Sequence, residues 1–330
     1  MRWLILGACT FACLPVPAFD PASQDDSLAL VRHFEPRDEP LGPAWEPGEP
    51  WIPLAGETVT LLGGTTVFRL RDAGYLEAAL QLAHADKNVR VRNIGWPADT
   101  AYRQQRPMFF FTEEGDTRPG SVPDQRNRIV PGTMILQFGR MESLDGIESV
   151  SDFESAYDRL VFALSRFSQR IVIVAPHPFP DKGPAAELAA GRNEVLAHYT
   201  RRIQALADRR GAIFVPAGEW EPSDFAANGL HLSDAGQRRF AENVARALGF
   251  EARFDERTIA AVRRKNDLWD QYFRPTNWAF LFGDRQHVPS SRGHRDSEQR
   301  WFLDEIAALP PLLEQADEEI WEAARKGGAQ

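Results

Sequence analysis

Five short runs of apolar and β-branched residues recur between residues 58 and 215: Thr58–Leu62, Val89–Ile94, Thr133–Phe138, Ile171–Ala175 and Ala212–Val215. Four are near-continuous apolar runs, which suit strands buried on both faces, while Val89-Arg90-Val91-Arg92-Asn93-Ile94 alternates and reads as a second strand ending at Gly95. Helical periodicity lies between them. Asp72 to His84 carries Tyr75, Leu76, Ala79, Leu80 and Ala83 on one face. Asp152 to Phe167 puts Phe153, Tyr157, Leu160, Val161 and Leu164 in register, with Arg170 closing that helix, and Glu187 to Ala207 reads as a further helix. Ser233-Asp234 caps a last one, running to Leu248. Strands alternating with helices specify a three-layer, doubly wound α/β fold with a mostly parallel five-stranded sheet. Such sheets bind ligands beyond the carboxyl ends of their strands. The special turns fall at those ends: Gly63-Gly64-Thr65, Gly95, Gly139 and the loop before His231.

The flanks are of different character. Residues 1–18 combine Arg2, an apolar core and a Pro-Val-Pro-Ala exit, which predicts a signal for export cleaved after Ala18. Leu6-Gly7-Ala8-Cys9 offers lipid attachment at Cys9 as a less favoured alternative. Residues 19–56 repeat Glu-Pro pairs and read as an extended Pro-rich acidic leader. Residues 57–250 form the α/β domain, and 251–330 a helical C-terminal extension with helices expected over 256–272, 300–308 and 312–325. Residues 97–131, including Phe109-Phe110-Phe111, read as a long irregular connection.

Composition excludes several classes. The two cysteines, Cys9 and Cys13, lie in the leading segment, so no disulfide framework or thiolate nucleophile is expected beyond it. A formal charge of -9 with finely mixed signs argues against nucleic acid as a partner. No run in the body of the chain is long and apolar enough to span a bilayer. The seven histidines show no metal-ligand spacing, so neither a metal nor another cofactor is expected.

The residues at the strand ends suit acyl transfer, which needs a nucleophile, a base and donors for an oxyanion. Thr65 offers a hydroxyl in the turn after the first strand, and the amides of Thr65 and Gly95 offer donors. His231 offers a base and Asn228 an orienting side chain. Gly64, Gly139, Asp99 and Glu142 belong to the same rim, the two acids as groups able to face the crevice. His177, between Pro176 and Pro178, reads as an exposed loop residue.

Four blocks in this order resemble the SGNH, or GDSL-like, hydrolases. They are Leu62-Gly63-Gly64-Thr65, Asn93-Ile94-Gly95-Trp96, Phe138-Gly139-Arg140-Met141-Glu142 and Asn228-Gly229-Leu230-His231-Leu232. Gly74-Tyr75-Leu76-Glu77 and Leu281-Phe282-Gly283-Asp284-Arg285-Gln286-His287 further resemble a subgroup of exported members from planctomycete-type bacteria. The resemblance implies a flavodoxin-like sheet and an exported ester hydrolase acting on an acyl ester, such as an acetyl group on a polysaccharide, without a cofactor. It also implies the roles of nucleophile for Thr65, base for His231 and orienter for Asn228.

Three positions depart from the family pattern: its serine is Thr65, its block-three asparagine is Met141, and its aspartate is Asn228. Loss of one oxyanion donor costs ~10²–10³ in turnover. An amide in place of the aspartate costs roughly 10⁴ where it holds the wrong histidine tautomer, as in the serine proteases. These departures make a catalytically degenerate fold that binds a glycan or a protein the alternative function.

Overall fold

The computed structural model describes residues 49–103, 132–165, 168–281 and 285–328. The expected export signal, the leader up to residue 48 and most of the 97–131 connection, with Phe109-Phe110-Phe111, lie outside them.

Five strands form one sheet: β1 (Thr58–Gly63), β2 (Arg90–Asn93), β3 (Thr133–Gln137), β4 (Arg170–Val174) and β5 (Ile213–Val215). Their order is β2-β1-β3-β4-β5 and every pairing is parallel, so the sheet is wholly parallel. Alternation along each strand divides the core in two. Leu62, Met134, Leu136, Ile171 and Ile173 enter one cluster, while Leu61, Ile135, Val172 and Val174 enter the other.

The second cluster is covered by α1 (Thr65–Ala73), α2 (Tyr75–Ala83) and α5 (Asp234–Ala247), through Val67, Leu70, Leu76, Leu80, Phe240 and Val244. The first is covered by α3 (Val150–Leu164) and α4 (Ala189–Arg210), through Phe153, Tyr157, Tyr199 and Ile203. It is completed by α6 (Glu256–Phe273), the short α7 (Trp278–Leu281) and α8 (Leu303–Gly327), which add Trp269, Tyr272, Leu281, Ile306 and Leu313. The C-terminal helices therefore share a core with the sheet.

They also close its edge. The outward carbonyls of edge strand β2 and the residue before it accept side-chain donors. Val89 receives Gln81 and Trp321, Val91 receives Lys265, and Asn93 receives Trp269 and Arg274. An unpaired parallel edge is an invitation to foreign strands; here α2, α6 and α8 occupy it. Two buried ion pairs lie beside these contacts, Lys265–Glu77 at 2.7 Å and Arg92–Asp317 at 2.5 Å. Burial raises the Glu77 pKa and lowers that of Lys265.

Several local expectations change. The periodic segment 72–84 is the second of two helices, because β1 runs into α1 with only Gly64 between them. Gly74, at φ +76°, ends α1 and starts α2 in one left-handed step. Arg170 opens β4 instead of closing a helix. The two helices expected around residues 300–325 are one, with Pro310 and Pro311 inside it. Each proline removes a helical hydrogen bond, yet Leu309, Pro310 and Leu313 are buried together, and that packing carries the helix through. Trp51, from the expected leader, is buried and donates to the Thr133 hydroxyl at 3.3 Å.

Candidate active site

The carboxyl ends of β1, β3 and β4 bring the singled-out blocks to one rim. Gly64 is the N-cap of α1 in an extended conformation, and it has no side chain to cap the helix. The first helical bond runs from Phe68 N–H to the Gly64 carbonyl at 3.0 Å, so the first-turn amides of Thr65 and Thr66 have no helical acceptor. Thr65 is thus the first residue of a helix, not part of a turn. Both threonines are half-buried.

The glycine at position 64 has a local cause. A Cβ there would lie 2.8 Å from the backbone carbonyl oxygen of Asp99. An aspartate at this position has no room against the Trp96–Asp99 loop. Gly64→Asp is expected to lower stability by about 1–3 kcal/mol, the usual cost of overpacking. A urea midpoint unchanged from that of the parent chain would refute this.

Gly95 does not serve as a free donor. Its amide donates to Asn93 Oδ1 at 2.9 Å, while Asn93 Nδ2 donates to the Val67 carbonyl at 2.7 Å. Trp96 N–H donates to the Gly63 carbonyl at 3.0 Å, and Arg274 of α6's end donates to the Gly95 carbonyl. This loop is a brace between β1, α1 and the C-terminal helices.

Gly139 is likewise engaged. Its amide donates to Glu142 Oε2 at 2.8 Å, and Ala101 N–H donates to Oε1 at 2.7 Å. Glu142 is buried, and burial raises its pKa despite these bonds. It ties two loops together and does not face the crevice as an acid. Met141, at the family's asparagine position, is exposed. Asp99 is buried beneath the Gly64 step.

Asn228 is spent on the backbone. Its Oδ1 accepts from Leu230 N–H at 3.0 Å and His231 N–H at 3.3 Å, closing a turn in which Gly229 has φ +65°. It holds the loop that carries His231, not the imidazole. The His231 ring makes no hydrogen bond among the described residues, to Thr65 or to any other group. Partial burial lowers its pKa, assisted by Arg69 and Arg140 and opposed by Asp72.

Two residues matter more than their sequence context suggested. His177, expected to be exposed, is buried after β4, against the rings of Trp220 and Phe225. Its Nε2 lies 3.2 Å from the Thr66 hydroxyl and its Nδ1 lies 3.2 Å from the Pro178 carbonyl. Burial, with Arg140 nearby, holds its pKa well below the usual histidine value. Arg140 donates to the Leu230 carbonyl at 3.2 Å and lies over the Phe179 ring. Burial and the neighbouring Arg192 lower its pKa to about 10. Its Nε and Nη2 have no partner among the described residues. The signal for His177 was its place at a strand's carboxyl end, a position shared with every other rim block.

A family model described as GDSL-like Lipase/Acylhydrolase family matches residues 60–239. No curated protein matches the chain. Among solved structures, an acetylxylan esterase from Geobacillus stearothermophilus is 17% identical, with 62% of this chain and 99% of that chain covered at a TM-score of 0.44. An alpha/beta hydrolase enzyme from the metagenome of Lake Arreo, Spain, is 14% identical, with 59% of this chain and 96% of that chain covered, also at 0.44.

Proposed function

The chain belongs to the GDSL-like lipase/acylhydrolase family, and we propose that it hydrolyses an acyl ester in the rim crevice, with acetyl groups on a polysaccharide as the substrate class. The observation that carries this reading is the start of α1. The first turn of α1, whose amides lack a helical acceptor, presents two threonine hydroxyls at the carboxyl edge of the sheet, with the Thr66 hydroxyl 3.2 Å from Nε2 of His177, an imidazole whose pKa burial lowers. Free amides and the helix dipole stabilise an oxyanion there, and a neutral imidazole accepts a hydroxyl's proton.

We assign Thr65 and His231 to this crevice, with Asn228 fixing the His231 loop through two backbone amides. His231, with both ring nitrogens unbonded and its loop at the mouth, is assigned to the entering ester. Trp96, packed on Phe273 and Arg274, offers a flat surface to a sugar ring. No helix among the described residues is long and apolar enough to cross a membrane. Residues 1–18 are proposed as a cleaved export signal, which N-terminal sequencing of the secreted chain checks; an intact Met1 terminus would refute it.

Saturable hydrolysis of p-nitrophenyl acetate and of acetylated xylo-oligosaccharides by the full chain is expected. His231→Ala should lower kcat/KM by roughly 10–100-fold through lost substrate contact. A wild-type rate no higher than that of the heat-denatured chain would overturn the hydrolase reading. Binding of the oligosaccharide without turnover would favour the glycan-binding alternative.

A further inference from the structure

We propose that the reacting pair of this site is Thr66 and His177, one residue along the helix and one strand across from the pair that the aligned blocks indicate. This inference rests on the ester-hydrolase reading and names its nucleophile and base.

Three observations support it. The Thr66–His177 contact, at 3.2 Å, is the one hydrogen bond between a hydroxyl and an imidazole among the described residues. That distance lies at the edge of the reach a nucleophile–base pair needs. Second, the tautomer is set. The Pro178 carbonyl can only accept, so His177 Nδ1 carries the proton and donates to it. In the neutral ring, Nε2 is then the acceptor, and the Thr66 O–H donates to it. A backbone carbonyl thus does the orienting that an aspartate does elsewhere, which accounts for a site that functions with an amide at Asn228. Third, Thr66 sits in the uncapped first turn of α1, where backbone N–H groups adjoin its hydroxyl. The groups facing His177 from other elements are the Trp220 and Phe225 rings and the Arg140 guanidinium, with no carboxylate among them.

The step balances without a co-reactant other than water. Thr66 Oγ1 attacks the acyl carbon as His177 Nε2 takes its proton. The carbonyl oxygen becomes an oxyanion at the first-turn amides. Collapse breaks the bond to the alcohol oxygen, which receives the proton from Nε2 and leaves. A water, deprotonated by the same nitrogen, then releases the acid and restores the Thr66 hydroxyl.

The test is adduct mapping with a fluorophosphonate, which bonds phosphorus to the reactive oxygen and loses fluoride. It is combined with ester kinetics of the full chain. The adduct is expected on Thr66 and not on Thr65, by fragment-ion mass spectrometry. Thr66→Val should lower kcat/KM at least ~10³-fold and His177→Gln by ~10²–10⁴-fold. Thr66→Ser, which keeps the hydroxyl, should keep turnover within about tenfold of wild type and carry the adduct on residue 66, a label that a merely structural hydrogen bond would not predict. Labelling should fall off with acid only below the ordinary histidine range, because burial lowers the His177 pKa, and His177→Gln should label slowly at every pH. An adduct on Thr65, or undiminished labelling of His177→Gln, would overturn the pair while leaving ester hydrolysis standing. Neither turnover nor adduct in the wild type would overturn both.

Discussion

Removing residues 251–330 is expected to yield a chain that no longer unfolds cooperatively. Trp269, Tyr272, Phe273, Leu281, Ile306, Leu309 and Leu313 all belong to the cluster that covers one face of the sheet. Each buried side chain of this size contributes about 1.5–3 kcal/mol. Together they amount to roughly 10–20 kcal/mol, against a net stability of about 5–15 kcal/mol for a whole domain. The truncation would also bare the outward carbonyl of Asn93 on β2, which Trp269 and Arg274 now satisfy, and would take Lys265 from that of Val91. Thermal melts by circular dichroism, with dye binding to exposed apolar surface, check this. A sigmoidal melt within about 5 °C of the full chain would show that the sheet stands without its C-terminal cover.

A second large effect is expected from a single atom group. Asp317 accepts from Arg92 Nη1 at 3.0 Å and from Nη2 at 2.5 Å, and both side chains are almost fully buried. Asp317→Ala leaves a buried guanidinium without its counter-charge, close to the Lys265 ammonium. Breaking such a pair costs about 3–5 kcal/mol. The urea midpoint should fall accordingly, with little change in slope. Replacing both partners by apolar residues, Arg92→Met with Asp317→Leu, should recover most of the loss, because no charge is then stranded. A double variant no more stable than Asp317→Ala would mean that the lost packing of these side chains, not the orphaned charge, dominates.

Much of the fold is legible in the sequence because parallel strands buried on both faces must be apolar along their whole length. Thr133–Phe138 and Ile171–Ala175 could be read as strands for that reason. Gly63, Gly64 and Gly95 marked the rim because backbone approaches closely there, and Gly139 because its φ is positive. Other features depend on partners far along the chain. The burial of His177 comes from Trp220 and Phe225, about forty residues away in sequence. The partner of Thr66 lies 111 residues downstream. The continuity of α8 through Pro310 and Pro311 depends on packing that overrides a strong local rule. The amide of Gly95 looks free in a list of motifs; only the fold shows that Asn93, two residues before it, consumes it.

The closing of the β2 edge also has a consequence in time. Arg92 and Asp317 are 225 positions apart, and Val89 and Trp321 are 232 apart. At ribosomal rates of about 5–20 residues per second, more than two hundred residues take on the order of 10–50 seconds to make. During that interval a nascent chain would hold an edge strand without the cover of its last helix. A holdase that recognises extended segments of alternating valine and arginine should therefore bind the growing chain around residues 89–94, and let go once the last helix emerges.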